Sequence, residues 1–208
     1  MKERGRLITF EGGDGAGKST LIHSLYDHLE KTGALVIKTM APGGTSLGET
    51  IRSLLLTKGD VGLNDKAELF LFLADRAQHV KEVIEPALSS GMVVLCDRYN
   101  DSTVAYQGVA RGLDPVWSRS LCDFATGAVQ PSLTLYLDID PEIGLRRAQH
   151  TGNKQDRIES EGLLFHKKIR NAFHMIAGQE PSRFKVIDAT QSPDEVFRQA
   201  VEMITHVL

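Results

Sequence analysis

The chain has 208 residues, 41% of them hydrophobic and 25% charged, enough for one domain with a full core or one domain carrying a lid. Its 27 acidic and 24 basic side chains leave a net charge of −3 without any block of like charge, which argues against a nucleic acid polymer or a membrane surface as partner. Its apolar runs fall far short of the ~20 residues of a membrane span, and no leader precedes the first one, so the cytoplasm is the expected location.

Leu7 to Phe10 reads as a short buried strand, and Leu21, Ile22, Leu25, Tyr26 and Leu29 follow at helical spacing. Between them stands Gly12-Gly13-Asp14-Gly15-Ala16-Gly17-Lys18-Ser19-Thr20, which fits G-x-x-x-x-G-K-[ST] at every fixed position. Strand, glycine-rich turn and helix start make a phosphate cradle. The glycines let several backbone N–H groups turn toward an anion, and the helix start adds partial positive charge. Lys18 can bridge β- and γ-phosphates, and the Ser19 hydroxyl can hold Mg²⁺. The ligand expected there is the phosphate chain of a nucleotide.

Gly33 marks the end of the first helix, and Leu35-Val36-Ile37 reads as a second strand. Pro42-Gly43-Gly44-Thr45 is a tight turn before a helix from Leu47 to Leu56. Asn64 or Asp65 can cap a long helix running to about Leu88, with a break expected near Pro86. On it, Phe72 and Arg76 lie four apart and share a face. A ring for stacking on a base and a guanidinium for its edge would look like this, but spacing alone favours a core Phe72 and a solvated Arg76.

Met92 to Cys96 is the third strand, and Cys96 reads as a core thiol. Asp97-Arg98 closes that strand. A carboxylate there can orient Mg²⁺ opposite Ser19, and the arginine can take a phosphate with paired bonds; the plain alternative is a strand-end ion pair. Pro115 opens a helix toward Ala125. Leu133 to Leu137, closed by Asp138, is the fourth strand, and a helix follows from Ile143 to Ala148. Gly162 to Ile176 is helical, Phe184 to Asp188 is the fifth strand, and Pro193 to Val207 the last helix. The seven histidines show no metal spacing and read as helix-surface residues.

The pattern predicts an α/β fold: a five-stranded parallel sheet with helices on both faces, of the P-loop kinase type, in a single domain over 1–208. Ligands then bind at the C-terminal strand ends. The basic stretch from Arg146 to Arg157 is expected to be a short lid, approximately 147–157, closing cations over transferring phosphates.

At this point the chain resembles the thymidylate kinases, in particular the bacterial form, along its whole length. The resemblance rests on Phe10 to Thr20, Pro42-Gly43-Gly44-Thr45, Ile51 to Leu55, Asp97-Arg98-Tyr99 with Ser102 to Gly108, Pro131 with Leu135 to Asp138, and Asp156-Arg157-Ile158-Glu159. It implies transfer of the γ-phosphoryl group of ATP to dTMP with Mg²⁺, the metal held at Ser19 and Asp97. It further implies that Asp14 meets the dTMP sugar hydroxyl and Arg98 its phosphate. Phe72 would stack on thymine, Arg76 would read its carbonyl edge, and Thr103, Tyr106 and Gln107 would close on base and sugar, Tyr106 crowding the 2′ side. The family is typically homodimeric, and an apolar face on the 65–88 helix would suit that.

The chain departs from the family at three places. Gly15 stands where one branch carries an arginine, so the catalytic cation is expected from the lid. Gln149 and Thr151 stand where bacterial relatives tend to carry arginines, leaving Arg146, Arg147, Lys154 and Arg157, of which Arg147 and Arg157 are expected to matter most. Met40-Ala41 replaces a common Arg-Glu. The rival readings are a kinase of another nucleoside monophosphate and a nucleotide-dependent switch or assembly ATPase without an acceptor.

Overall fold

A computed structural model describes residues 3–58, 62–150 and 156–208. Five strands, β1 (Arg6–Glu11), β2 (Val36–Met40), β3 (Val93–Asp97), β4 (Leu133–Asp138) and β5 (Phe184–Asp188), form one parallel sheet in the order β2-β3-β1-β4-β5. The chain leaves β1 toward β2 on one side and leaves β3 toward β4 on the other. The crevice between the ends of β1 and β3 is therefore the switch point of the sheet, where α/β folds bind their ligands.

Alternation along the strands sorts the core. Ile8, Phe10, Leu95, Leu135 and Leu137 face α1 (Lys18–Lys31) and α9 (Pro193–Thr205). On the opposite face, Leu7, Val94 and Cys96 pack under Val80, Ile84 and Leu88, while Tyr136 and Phe184 pack under α8 (Leu163–Gln179). Both faces are covered, which is why the strands are apolar at nearly every position instead of alternating. Among the polar exceptions on the second face, Thr9 and Thr134 bond to each other at 2.8 Å.

The remaining elements are α2 (Ser46–Leu56), α3 (Asp65–His79), α4 (Glu85–Ser89), α5 (Asn100–Thr103), α6 (Pro115–Thr126) and α7 (Pro141–His150). Asn64 caps α3 by accepting from Lys66 N. The break expected near Pro86 does not occur. A π-helical turn at Val80–Ile84 joins α3 to α4 in continuous helical backbone, with Glu85 N–H bonding Val80 O one residue before Pro86, which has no N–H to give. A second π-helical segment, Val104–Ala110, continues α5. It is buried almost throughout and so carries no amphipathic period by which to recognise it.

Two histidines correct the surface expectation. His79 is fully buried and His166 nearly so. His79 Nε2 lies 2.7 Å from Thr39 Oγ1, and burial, with Arg76 nearby, holds its pKa down to about 4. Cys96 is a core thiol, its Sγ donating to the Arg98 carbonyl at 3.2 Å. No described helix is long and apolar enough to cross a membrane.

Candidate active site

The loop between β1 and α1 lies at the sheet's switch point. Gly17, at φ 91°, is the N-cap of α1, and no side chain caps that helix. By contrast Thr45, Asn64, Asp114 and Ser192 cap α2, α3, α6 and α9. The uncapped N–H groups of α1 are left for an external anion. Gly15 has φ 70°, and a Cβ added to it would lie 2.1 Å from the Gly144 carbonyl oxygen on α7. No side chain, arginine included, fits there with α7 in place.

Lys18 is buried, and its Nζ donates to the carbonyls of Gly12 and Gly13 at 3.0 Å each. Burial first, and then the charge of Arg98, lower its pKa. A phosphate between the two cations would relieve both effects. Ser19 Oγ lies 3.4 Å from Asp97 Oδ2, and Asp97 Oδ1 is buried without a hydrogen-bond partner. Two hard oxygen donors, one with an unspent lone pair, fit a divalent cation held partly by phosphate oxygens.

Arg98 follows directly on β3. It holds φ at 67°, a conformation a non-glycine residue adopts at a cost. Its N–H donates to Phe10 O at 3.0 Å, its Nη2 to Asp14 Oδ1 at 3.2 Å and its Nη1 to Ser102 Oγ at 3.2 Å, and the guanidinium lies 5.1 Å from the Tyr106 ring. Burial alone would lower its pKa, but Tyr106, Asp14, Asp97 and Glu11 reverse this and keep it charged. Beneath it, fully buried Glu11 accepts from Tyr99 N at 2.8 Å, Ser102 N at 3.3 Å and Ser102 Oγ at 2.5 Å. Burial, reinforced by Asp101, pushes the Glu11 carboxyl up to about 7. Glu11 thus anchors the start of α5 and, through Ser102, the Arg98 fork. Sequence reading assigned it no role, because a carboxylate at the end of an apolar strand carries no signal of what it caps.

These groups open on a cleft of about 530 Å³. Asp14, Gly15, Gly17, Lys18, Ser19, Thr20, Asp97 and Arg98 line one part of it, and Phe72, Arg76, Thr103, Tyr106 and Gln107 another. The Ala16 methyl instead packs into the core. Arg76 is not solvated: it is 1% exposed, its Nε has no partner, and its Nη1 reaches only Asn100 Oδ1 at 3.4 Å. It lies 4.9 Å from the Tyr99 ring and forms no ion pair among the described residues. A buried, under-satisfied guanidinium facing a cleft calls for an acceptor on a ligand. Arg52 and Glu159 also line the cleft, Arg52 donating to Pro42 O at 2.9 Å. Both lie in stretches that carry the resemblance, but without a role read from sequence.

The two arginines expected as lid cations do not line this cleft. Arg147 donates to Ala189 O at 2.9 Å, beside the end of β5. Arg157 donates to Leu55 O at 2.8 Å and to the buried Glu68 carboxylate at 2.6 Å. Lys154 and Thr151 lie outside the described residues. Among the described residues of the 146–157 stretch, Ala148 and Asp156 line the cleft.

Phosphate loop, strand-end carboxylate and adjoining acceptor cleft on a parallel sheet define a P-loop nucleotide kinase. The family model described as thymidylate kinase matches residues 10–200. A thymidylate kinase of Protochlamydia amoebophila is 49% identical over 210 residues, spanning 98% of this chain and 93% of that protein. One of Solidesulfovibrio magneticus is 52% identical over 196 residues, spanning 91% and 94%. The crystal structure of thymidylate kinase from Ehrlichia chaffeensis superposes with a TM-score of 0.78 at 32% identity, over 97% of this chain and 99% of that one. The chain belongs to the thymidylate kinase family.

Proposed function

We infer that this chain transfers the γ-phosphoryl group of ATP to dTMP, giving dTDP. The observation that carries the reading is the single cleft in which the phosphate loop, with Lys18 and the bare start of α1, adjoins a pocket bearing Arg98, Phe72 and Arg76. A switch or assembly ATPase has no use for that second pocket.

The protein's part in this reaction is positioning and charge neutralisation, since phosphoryl transfer asks for little covalent help. The loop glycines and the N–H groups of α1 hold the donor phosphates, and Lys18 offsets their charge. Arg98, braced by Ser102 and Asp14, takes the acceptor phosphate. Phe72 stacks on the base, and Arg76 donates to a base carbonyl. Thr103, Tyr106 and Gln107 complete the wall, with Asp14 beside the sugar. Mg²⁺, when bound at Ser19 and Asp97, supplies further charge neutralisation on the donor phosphates. The stretch that follows Arg147 acts as the lid and brings that cation inward, while Arg157 at its far end keeps its bond to Glu68.

The chain works as one domain in the cytoplasm, as a homodimer. Leu54 on α2, Phe70 on α3 (54% exposed) and Phe124 on α6 (88% exposed) stand on helices packed side by side, and a second copy would cover them.

The test is a coupled assay with dTMP, dUMP, CMP and AMP. Strong stimulation of ATP turnover by dTMP over CMP and AMP is expected. ATP turnover indifferent to every acceptor would overturn the reading in favour of an ATPase. Light scattering of wild type and Phe70→Glu checks the dimer.

A further inference from the structure

Glu68, Phe72 and Arg76 follow one another at four-residue steps along α3, so they share one face. Glu68, like Arg76, is 1% exposed. Its carboxylate accepts from Gln107 Nε2 at 2.8 Å, from Arg111 Nε and Nη2 at 3.2 Å each, and from Arg157 Nη2 at 2.6 Å. Burial alone would raise its pKa, but the bonds from Gln107, Arg111 and Arg157 bring it below the ordinary value, so it stays ionised.

Each donor belongs to a different part of the cleft wall. Gln107 lines the cleft from the π-helical segment. Arg157 stands between Asp156 and Ile158, which line it together with Glu159. Arg157 also bonds the end of α2, through Nε to Leu55 O and through its backbone N–H to Leu56 O at 3.0 Å, and Leu56 lines the cleft as well. Arg111 extends the cluster to Glu161 at 2.6 Å. One buried carboxylate therefore ties α3, the 104–110 segment, the end of α2 and the 156–161 turn into one frame.

We propose that Glu68 is a positioning residue, and that its clasp on Arg157 and Gln107 sets the separation of the two walls between which the acceptor base binds. Arg157 then serves as the strut of the acceptor pocket and not as the cation on the transferring phosphoryl. The proposal rests on the reading that this cleft takes dTMP.

The experiment joins a readout free of nucleotide to a kinetic one. In Glu68→Gln, which keeps the shape and removes the charge, amide hydrogen exchange over 156–161 should quicken at least ~10-fold, because two guanidiniums lose their charged acceptor. KM for dTMP should rise ~10-fold or more, with KM for ATP and kcat changed less than ~3-fold. Arg157→Ala should give the same split, and the double variant should be little worse than the worse single one. Unchanged exchange, additive effects, or a fall in kcat with KM for dTMP unchanged would overturn the clasp. Should Glu68→Gln not fold, Arg157→Lys, which keeps charge but loses the paired bonds, must show the same split, and wild-type kinetics in it would equally overturn the proposal. A wild-type enzyme that ignores dTMP would sink the substrate reading itself, while exchange still judges the clasp.

Discussion

Arg76 is expected to strengthen the fold when it is removed and to weaken the function. The structure places its guanidinium at 1% exposure with an unpartnered Nε, a single long bond to Asn100 and a face-on contact with Tyr99. Burying a charge with so little compensation costs folding free energy. Replacing such groups by apolar side chains of similar size is often neutral or stabilising, by ~1–4 kcal/mol. Arg76→Met should thus melt at the wild-type temperature or above it, by ~2–4 °C for each kcal/mol gained in a chain of this size. Against this, the variant loses a charged donor to the acceptor base, worth ~1.5–3 kcal/mol. At ~1.4 kcal/mol per decade, dTMP binding should weaken ~10- to 150-fold. Discrimination against dCMP should also shrink, because a 4-amino group cannot accept the arginine's bond. The assay is a thermal melt without nucleotide, then titration with dTMP and dCMP. A variant that melts well below wild type yet binds dTMP as tightly and as selectively would refute the reasoning and return Arg76 to a structural role.

Lys18→Ala should lower turnover by ~10²-fold or more without loss of fold, as for removal of one preorganised donor; near-normal turnover would remove Lys18 from the chemistry. Arg98→Ala keeps a Cβ at the strained φ, so backbone cost is unchanged and the readout is the lost fork: KM for dTMP should rise ~10- to 150-fold while KM for ATP holds. If ATP alone suffered, Arg98 would belong to the donor side. Chelation of Mg²⁺ should abolish turnover, and Ser19→Ala should raise the Mg²⁺ concentration needed; an unaltered requirement would argue against Ser19 as ligand. Glu11 gives a pH signature. Its folded pKa of about 7 lies above the ordinary 4.5, so between these values the fold holds the proton more tightly than the unfolded chain does. Stability from this group is therefore full below pH ~4.5 and lost as pH rises through ~7, on the order of 3 kcal/mol in all. Urea midpoints for wild type and Glu11→Gln at pH 5 and pH 8 should show the wild-type decline flattened in the variant, and parallel declines would clear Glu11 of it.

The sequence by itself determined the strands, most helices and the phosphate loop, because each is written in contiguous residues. Apolar runs bounded by turn residues marked β1 to β5, and Phe184–Asp188 holds to the residue. Gly12 to Thr20 states its own chemistry, since every group that cradles the phosphate is local in the chain. Spacing also put Phe72 and Arg76 on one face, yet by itself it favoured a solvated Arg76. Only the tertiary structure could settle that, because burial depends on Tyr99 and Asn100, which arrive from the end of β3 and the start of α5. The same holds for His79, whose partner Thr39 stands on another element. It holds for Glu11 too, whose donors Tyr99 and Ser102 are brought in by the pairing of β1 with β3. Arg157 shows the limit most plainly. A basic loop between two helices reads as a reservoir of mobile cations, but the structure pairs this one with a carboxylate 89 residues away. Local patterns settle local geometry, while the partner of a charge is decided by which elements the fold makes neighbours.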